Sequence, residues 1–189
     1  SSSEMVCAVA SPSLVKLVRA THDEGAFHYL NLLSLGFTSE VGALTNRRFK
    51  PLGPAGYAVA TVIEVARLRH RTFPIRLDGG PVDARPCVFL SFSNSRFTGG
   101  TMCMAPSADP SDGHLDVIRV GPMSRLDLLK TFPRIYQGTH LEHPLNEATR
   151  ARRVDLDLPS AEDLMVDGEI LHHRLRSLEV LPGALEILA

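Results

Sequence analysis

Carboxylates gather at two places in this sequence. The first is the stretch from Gly99 to Asp116, where Asp109, Asp112 and Asp116 lie along a path set by Gly99, Gly100, Pro106, Pro110 and Gly113. A loop that is both shaped and charged can hold a cation or orient a polar substrate. The spacing does not fit an EF-hand calcium loop: placing Gly113 sixth puts Ala108 first, where an aspartate is needed. An Asp-Gly turn at Asp112-Gly113 is the plainer reading, and a cation held by that turn is compatible with it. The second place is Val166-Asp167-Gly168-Glu169. If Leu164 to Glu169 is one extended strand, Asp167 and Glu169 share a face with Cα atoms roughly 6.5–7 Å apart. Paired carboxylates of this kind serve as general acids and bases. Gly168 between them leaves the backbone open to a close ligand. A solvated strand end with a glycine kink accounts for the same residues equally well.

Other candidates carry less. His172 and His173 are adjacent, and neighbours on a strand face opposite ways, so one ion cannot easily take both. Asn94 reads as the start of a turn. Gly79-Gly80 and Gly99-Gly100 lack the surroundings of a phosphate-binding loop. Ser34 and Ser91 lack a nucleophile-elbow context. Arg150, Arg152 and Arg153 read as a solvated face or as a rim for an anion. Cys7, Cys87 and Cys103 are odd in number and far apart, which fits buried or free thiols and a reducing compartment.

The elements that must position these residues read mainly as strands. Ala26–Phe37, Phe73–Leu77, Pro86–Asn94, His114–Val120, Arg153–Leu158, Leu164–Glu169, Ser177–Leu181 and Ala184–Leu188 all carry strand patterns. Asp78-Gly79-Gly80-Pro81 would let Pro86–Asn94 return as a hairpin partner of Phe73–Leu77. Two helices are expected, Ala55–Arg69 after Gly53-Pro54 and Ser124–Lys130 with a Ser-x-x-Asp start. Thr139–Arg152 is the loosest stretch. The pattern indicates a mainly β domain, a β-sandwich or distorted barrel with two short helices. The 189 residues suffice for one domain with its own core. With Lys+Arg at 20 and Asp+Glu at 21, charge gives no argument for a nucleic-acid partner. No apolar run is long enough to cross a bilayer as a helix.

Taken in order, several short motifs resemble the C-terminal domain of the diacylglycerol kinase-like lipid kinases, the family of bacterial diacylglycerol kinases and of sphingosine and ceramide kinases. They are Tyr29-Leu30-Asn31-Leu32-Leu33-Ser34-Leu35-Gly36-Phe37, Leu52-Gly53 with Tyr57, Asn94, Gly99-Gly100, and Ala105-Pro106 with Asp112-Gly113 and Leu115-Asp116. Gly138 and Val166-Asp167-Gly168-Glu169 complete the series. Each is weak alone; their order and spacing are specific, and they cover nearly everything after about residue 26.

The resemblance implies a two-domain enzyme whose N-terminal domain binds ATP through a Gly-Gly-Asp-Gly-Thr motif. That motif does not occur in this sequence. With the start Ser1-Ser2-Ser3-Glu4-Met5, this suggests a separated C-terminal domain spanning residues 1–189, with residues 1–25 as a poorly matched lead-in. The resemblance further implies ATP and Mg²⁺ as cofactors and a lipid substrate, with lipid-facing residues along Ala55–Ala66. It implies peripheral contact with the cytoplasmic membrane surface and admits a homodimer. It places the general base at Glu169 or Asp167, with Glu169 favoured. It also implies a structural cation held at the positions of Asp109, Asp112 and His114, by backbone carbonyls at the first and last. Two alternatives stand beside it: a non-catalytic sandwich that binds lipid or a partner, and a glycosidase using Asp167 and Glu169 across a cleft, where such pairs sit about 5–9.5 Å apart.

Overall fold

The computed structural model describes residues 12–188. The start at Ser1 to Met5 and Cys7 lie outside the described residues. In chain order the strands are β1 (Pro12–His22), β2 (Gly25–Tyr29), β3 (Leu32–Gly36), β4 (Arg71–Thr72), β5 (Ile75–Leu77), β6 (Val82–Asp83), β7 (Pro86–Cys87) and β8 (Phe89–Ser93). They continue as β9 (Phe97–Thr98), β10 (Met102–Cys103), β11 (Leu115–Val120), β12 (Asn146–Ala151), β13 (Arg153–Leu156), β14 (Glu162–Val166), β15 (Glu169–His173) and β16 (Leu175–Leu188). The α-helices are α1 (Phe37–Leu44), α2 (Pro54–Ala66) and α3 (Arg125–Thr131).

Twelve of these strands form two six-stranded antiparallel sheets, with order β2-β1-β16-β13-β5-β6 in one and β12-β11-β8-β3-β14-β15 in the other. Val18, Ala20, Leu33, Leu35, Leu90, Phe92 and Val154 meet between the sheets. On the far side of the second sheet, Leu32, Val88 and Phe89 pack against Phe37, Val41, Ala60 and Val65 of the helices. The second sheet is therefore covered on both faces. That is why β3, β8 and β11 are buried at every position, with Ser34, Ser91, Asp116 and Arg119 enclosed among their apolar residues instead of facing solvent.

The result is a sandwich of open sheets with a helical layer, so the barrel option falls away. A third helix, α1, goes beyond the two expected. It starts at once after β3 because Gly36 turns the chain at φ 90, where a Cβ would lie 2.7 Å from the Val88 carbonyl oxygen. Ser124 caps α3, its hydroxyl accepting the Asp127 amide at 3.1 Å.

Several sequence readings change. Ala26–Phe37 is not one strand: a turn at Leu30-Asn31 splits it into β2 and β3. Pro86–Asn94 does not pair with Phe73–Leu77. β5 pairs with β6, while β8 crosses to the centre of the other sheet. The loose stretch Thr139–Arg152 contains β12, and the set-aside first residues contain β1, which lies inside a sheet. Ser177–Leu181 and Ala184–Leu188 belong to one long strand, β16.

Candidate functional site

The second acidic cluster is a hairpin, not a strand. β14 and β15 pair with Val166 opposite Glu169, leaving Asp167 and Gly168 as a two-residue turn. Both take positive φ, 47 and 98, the signature of a type I′ hairpin turn, for which Asp-Gly is a preferred sequence. Asp167 and Glu169 thus do not share a strand face. Asp167 Oδ2 accepts the Leu30 amide at 2.8 Å, and its Oδ1 accepts the amides of Asn31 and Leu32 at 2.9 and 2.8 Å. The Asp167 carboxylate therefore holds the β2–β3 turn. Glu169 begins the edge strand β15, is exposed, and its carboxylate has no ion pair or hydrogen bond among the described residues.

Asp167 and Gly168 stand at the mouth of a cavity of about 320 Å³ between the second sheet and the helical layer. Leu32 and Met165 supply its sheet wall, and Met102, Met104, Phe132, Ile135 and Tyr57 close it with apolar surface. Thr38 and Thr45 also line it, but their hydroxyls are committed, to Ser34 Oγ at 2.8 Å and the Val41 carbonyl at 2.8 Å. These threonines can therefore offer mainly methyl groups to an occupant. Thr45 opens a π-turn, Thr45–Phe49, in which Thr45 and Asn46 both reach the cavity; such turns recur at binding sites. Asn31 and Asp167, joined through the Asn31 amide, bring polar groups to the cavity's lining beside Gly168, and Ser34, Asn46 and Thr98 add others. An apolar cavity with a polar mouth can bury a hydrocarbon chain and hold a headgroup at the entrance. Of α2, expected to be the lipid-facing element, Tyr57 alone lines it among the described residues.

In the first acidic cluster, the three residues expected to hold a cation do converge, but on a side chain of this protein. Lys16 Nζ donates to the Asp109 carbonyl at 2.5 Å, to Asp112 Oδ1 at 2.8 Å and to the His114 carbonyl. The Lys16 side chain has no solvent exposure. Burial draws its ammonium down to about 8, with the carboxylates of Asp116 and Asp109 pulling upward and Arg150 pulling down. Asp112 also takes the His114 amide on Oδ1 at 2.9 Å and Arg150 on Oδ2. Asp109 Oδ1 faces its own turn, accepting the Ser111 amide and hydroxyl, whose bonds hold its carboxyl below the usual range. Asp116 is fully buried, takes the Ser107 hydroxyl at 2.7 Å, and is pushed upward by burial. The ammonium thus takes the centre of the three oxygens at which the resemblance places a cation.

Lys16 went unnoticed in the sequence, yet there was a signal. It shares strand parity with Val18 and Ala20, both of them wholly buried, so a charged side chain stood at a core-facing position of β1. Asn94 does more than start a turn. Its Nδ2 bridges the carbonyls of Lys16 and Leu30 at 2.9 and 2.8 Å, tying the cage to the turn that Asp167 holds. Arg150 and Arg152 clasp the first cluster through Asp112 and His114, and Arg153 pairs with Asp155. His172 and His173 do diverge, to Asp163 and to His22. Cys87 and Cys103 are buried free thiols.

Residues 31–189 match the model of the YegS C-terminal NAD kinase beta sandwich-like domain. The chain belongs to this family. It is 32% identical over 175 residues to a diacylglycerol kinase of Mycobacterium tuberculosis, covering 92% of this chain and 56% of that protein. It is 24% identical over 173 residues to a probable lipid kinase YegS-like protein of Shewanella frigidimarina, covering 91% and 54%. Among solved structures, a diacylglycerol kinase from Bacillus anthracis strain Sterne superposes with a TM-score of 0.62 at 17% identity, covering 94% of this chain and 54% of that one. The fold is shared at that identity, and the chain spans about half the length of the curated relatives it matches.

Proposed function

We propose that this chain is the acceptor-binding part of an ATP-dependent lipid kinase that phosphorylates a hydroxyl of a diacylglycerol or sphingoid-type lipid. The observation that carries the proposal is the mainly apolar cavity whose lining includes Asn31 and the hairpin turn Asp167-Gly168. Membership of a family whose members bear lipid-kinase names supports the same reading. An acyl chain enters the cavity, and the glycerol or sphingoid end stays at the mouth beside the hairpin turn. Bound ATP supplies the phosphoryl group, and a divalent cation on the phosphates offsets charge. Those groups would be held by a part resembling the remaining half of the longer relatives.

Glu169 is the general base. It takes the proton of the lipid hydroxyl as that oxygen bonds to the γ-phosphorus and the bond to the bridging oxygen breaks, releasing ADP. Its carboxylate is not engaged elsewhere among the described residues, whereas both oxygens of Asp167 are committed to the turn. Asp167 is then a positioning residue. Leu126 at 68% and Leu129 at 45% exposure on α3, with Val62 at 63% on the adjoining α2, are exposed apolar side chains that suit contact with a lipid surface. No described helix is long and apolar enough to cross a membrane.

The test is phosphate transfer from ATP with Mg²⁺ to a panel of diacylglycerols and sphingoid bases, by this chain alone and by a protein that joins it to a nucleotide-binding half. Transfer by the joined protein and none by the chain alone is expected. Turnover by the chain alone would overturn the division of labour. A joined protein that binds ATP yet is inert toward every lipid would favour a non-catalytic binding domain. The glycosidase alternative draws no support from the hairpin, which commits Asp167 to three amides.

A further inference from the structure

We infer that Lys16 is a built-in cation: its ammonium takes the place of a bound metal ion in the Asp109–His114 loop, so this loop is held shut without a divalent ion. The inference rests on the geometry of the loop, not on the kinase reading.

An ammonium has three N–H donors and no acceptor. Lys16 Nζ finds three oxygens, the Asp109 and His114 carbonyls and Asp112 Oδ1. Two carbonyls flanking one carboxylate make an oxygen cage of the kind that hard cations select. Here its centre is filled by a charge anchored to a strand.

The backbone is arranged to deliver that charge. Pairing of β1 with β16 slips between Val15 and Leu17, so Lys16 sits at an irregularity of the ladder; a bulge re-aims a side chain in this way. The Lys16 backbone is used by loops instead: its amide donates to the Pro110 carbonyl at 2.8 Å and its carbonyl accepts Asn94 Nδ2 at 2.9 Å. The loop thus closes on both the main chain and the side chain of Lys16. Arg150 at Asp112 Oδ2 supplies a second positive charge from β12. Asp112 therefore faces a cation at each oxygen, and its Oδ1 is taken by the Lys16 ammonium and the His114 amide.

A tethered ammonium differs from a metal in what removes it. A chelator cannot strip it, and added divalent ions cannot compete for the cage without first expelling a wholly buried side chain. Deleting it leaves one oxygen of Asp112 and two carbonyls without their donor around a hole, a vacancy shaped for a cation, with Arg150 still at the other oxygen of Asp112.

The experiment is thermal unfolding of the full chain and of Lys16→Ala and Lys16→Met, each with EDTA and with excess Mg²⁺, Ca²⁺ or Mn²⁺, together with Mn²⁺ binding by electron paramagnetic resonance. The original protein should show the same Tm with EDTA and with each ion, and no Mn²⁺ bound at this loop. Both variants should melt lower in EDTA, by roughly 10 °C if the lost pair is worth what buried pairs are. Lys16→Ala should bind Mn²⁺ and recover most of the loss with divalent ions. Lys16→Met, whose side chain fills the space without charge, should not. Stabilisation of the original protein by a divalent ion, Lys16→Met as stable as the original, or Lys16→Ala indifferent to every ion would each overturn the inference. If Lys16→Ala fails to fold even with divalent ions, ¹⁵N NMR of the unaltered protein decides. A single lysine ammonium signal protected from solvent exchange is expected, and its absence refutes the cage.

Discussion

Asp167 and Leu32 bind one another twice: the Leu32 amide donates to Asp167 Oδ1 at 2.8 Å, and the Asp167 amide donates to the Leu32 carbonyl at 3.0 Å. This reciprocal pair joins the tip of the β14–β15 hairpin to the start of β3 and thereby fixes the mouth of the cavity, to which both residues contribute. The substitution Asp167→Asn tests it with little backbone disturbance, because Asn tolerates the positive φ of this turn. One carbonyl oxygen cannot serve the three amides, and the new NH2 group opposes an N–H donor. Asp167→Asn should lose about 1–3 kcal/mol of stability in a denaturant titration. In the joined kinase it should raise KM for the lipid more than it lowers kcat, as suits a positioning residue. An unchanged denaturation midpoint would show the turn does not depend on this carboxylate.

Glu169→Gln should behave in the opposite way. The side chain is exposed, so its replacement should leave stability within about 0.5 kcal/mol. As the general base, its loss should lower kcat by roughly 10²–10⁴-fold. A denaturant titration and phosphate-transfer kinetics on the joined protein measure the two effects. Full activity in Glu169→Gln would move the base elsewhere.

The two carboxylates were legible in the sequence, but their relation was not. Asp-Gly is a strong hairpin signal, yet the run Leu164-Met165-Val166 before it and Ile170-Leu171 after it are both apolar, so strand and hairpin fit the local pattern alike. Only the pairing of Val166 with Glu169 separates them. Helices with local punctuation, Gly53-Pro54 before α2 and the Ser124 cap of α3, were found close to their ends. The neighbours of β8 could not be, because its partners β3 and β11 are distant in the chain and non-local pairing leaves no local mark. For the same reason the cavity stayed hidden. Its wall brings Leu32, Tyr57, Met104, Ile135 and Met165 together from separate elements.

Filling that cavity should change which lipids are accepted before it changes the chemistry. Thr45 lines it from the π-turn at the end of α1. Thr45→Phe adds bulk there while Glu169 and the hairpin stay untouched. Each methylene the cavity can no longer bury removes about 0.8 kcal/mol of binding, so two excluded methylenes should weaken binding roughly tenfold. The expected result is a higher KM for long-chain acceptors with short-chain acceptors little affected, measured as kcat/KM across a chain-length series. A uniform loss at every length would mean the acyl chain lies outside this cavity.

Acid should loosen the edge of the first sheet at β6. Asp83 Oδ2 lies 2.8 Å from Arg85 Nη2 and 3.0 Å from the buried Arg119 Nη2. The hydrogen bonds from Arg85 hold the Asp83 carboxyl down, from the ordinary 3.8 to about 2. A depressed carboxylate contributes stability that is fully present above its unfolded value and is lost as pH falls through its folded one. The loss should therefore run between about pH 4 and pH 2. Allowing for solvent screening of a partly exposed group, it should amount to about 1–2 kcal/mol. Removing the charge leaves Arg119, only 5% exposed, without the partner that joins β6 to β11. Asp83→Asn should lower stability at neutral pH by a similar amount and flatten the decline between pH 4 and pH 2, as read from urea midpoints at stepped pH. If the variant and the original protein lose stability in parallel down to pH 2, the acid sensitivity belongs to other carboxylates and the Asp83–Arg119 contact is not what holds that edge.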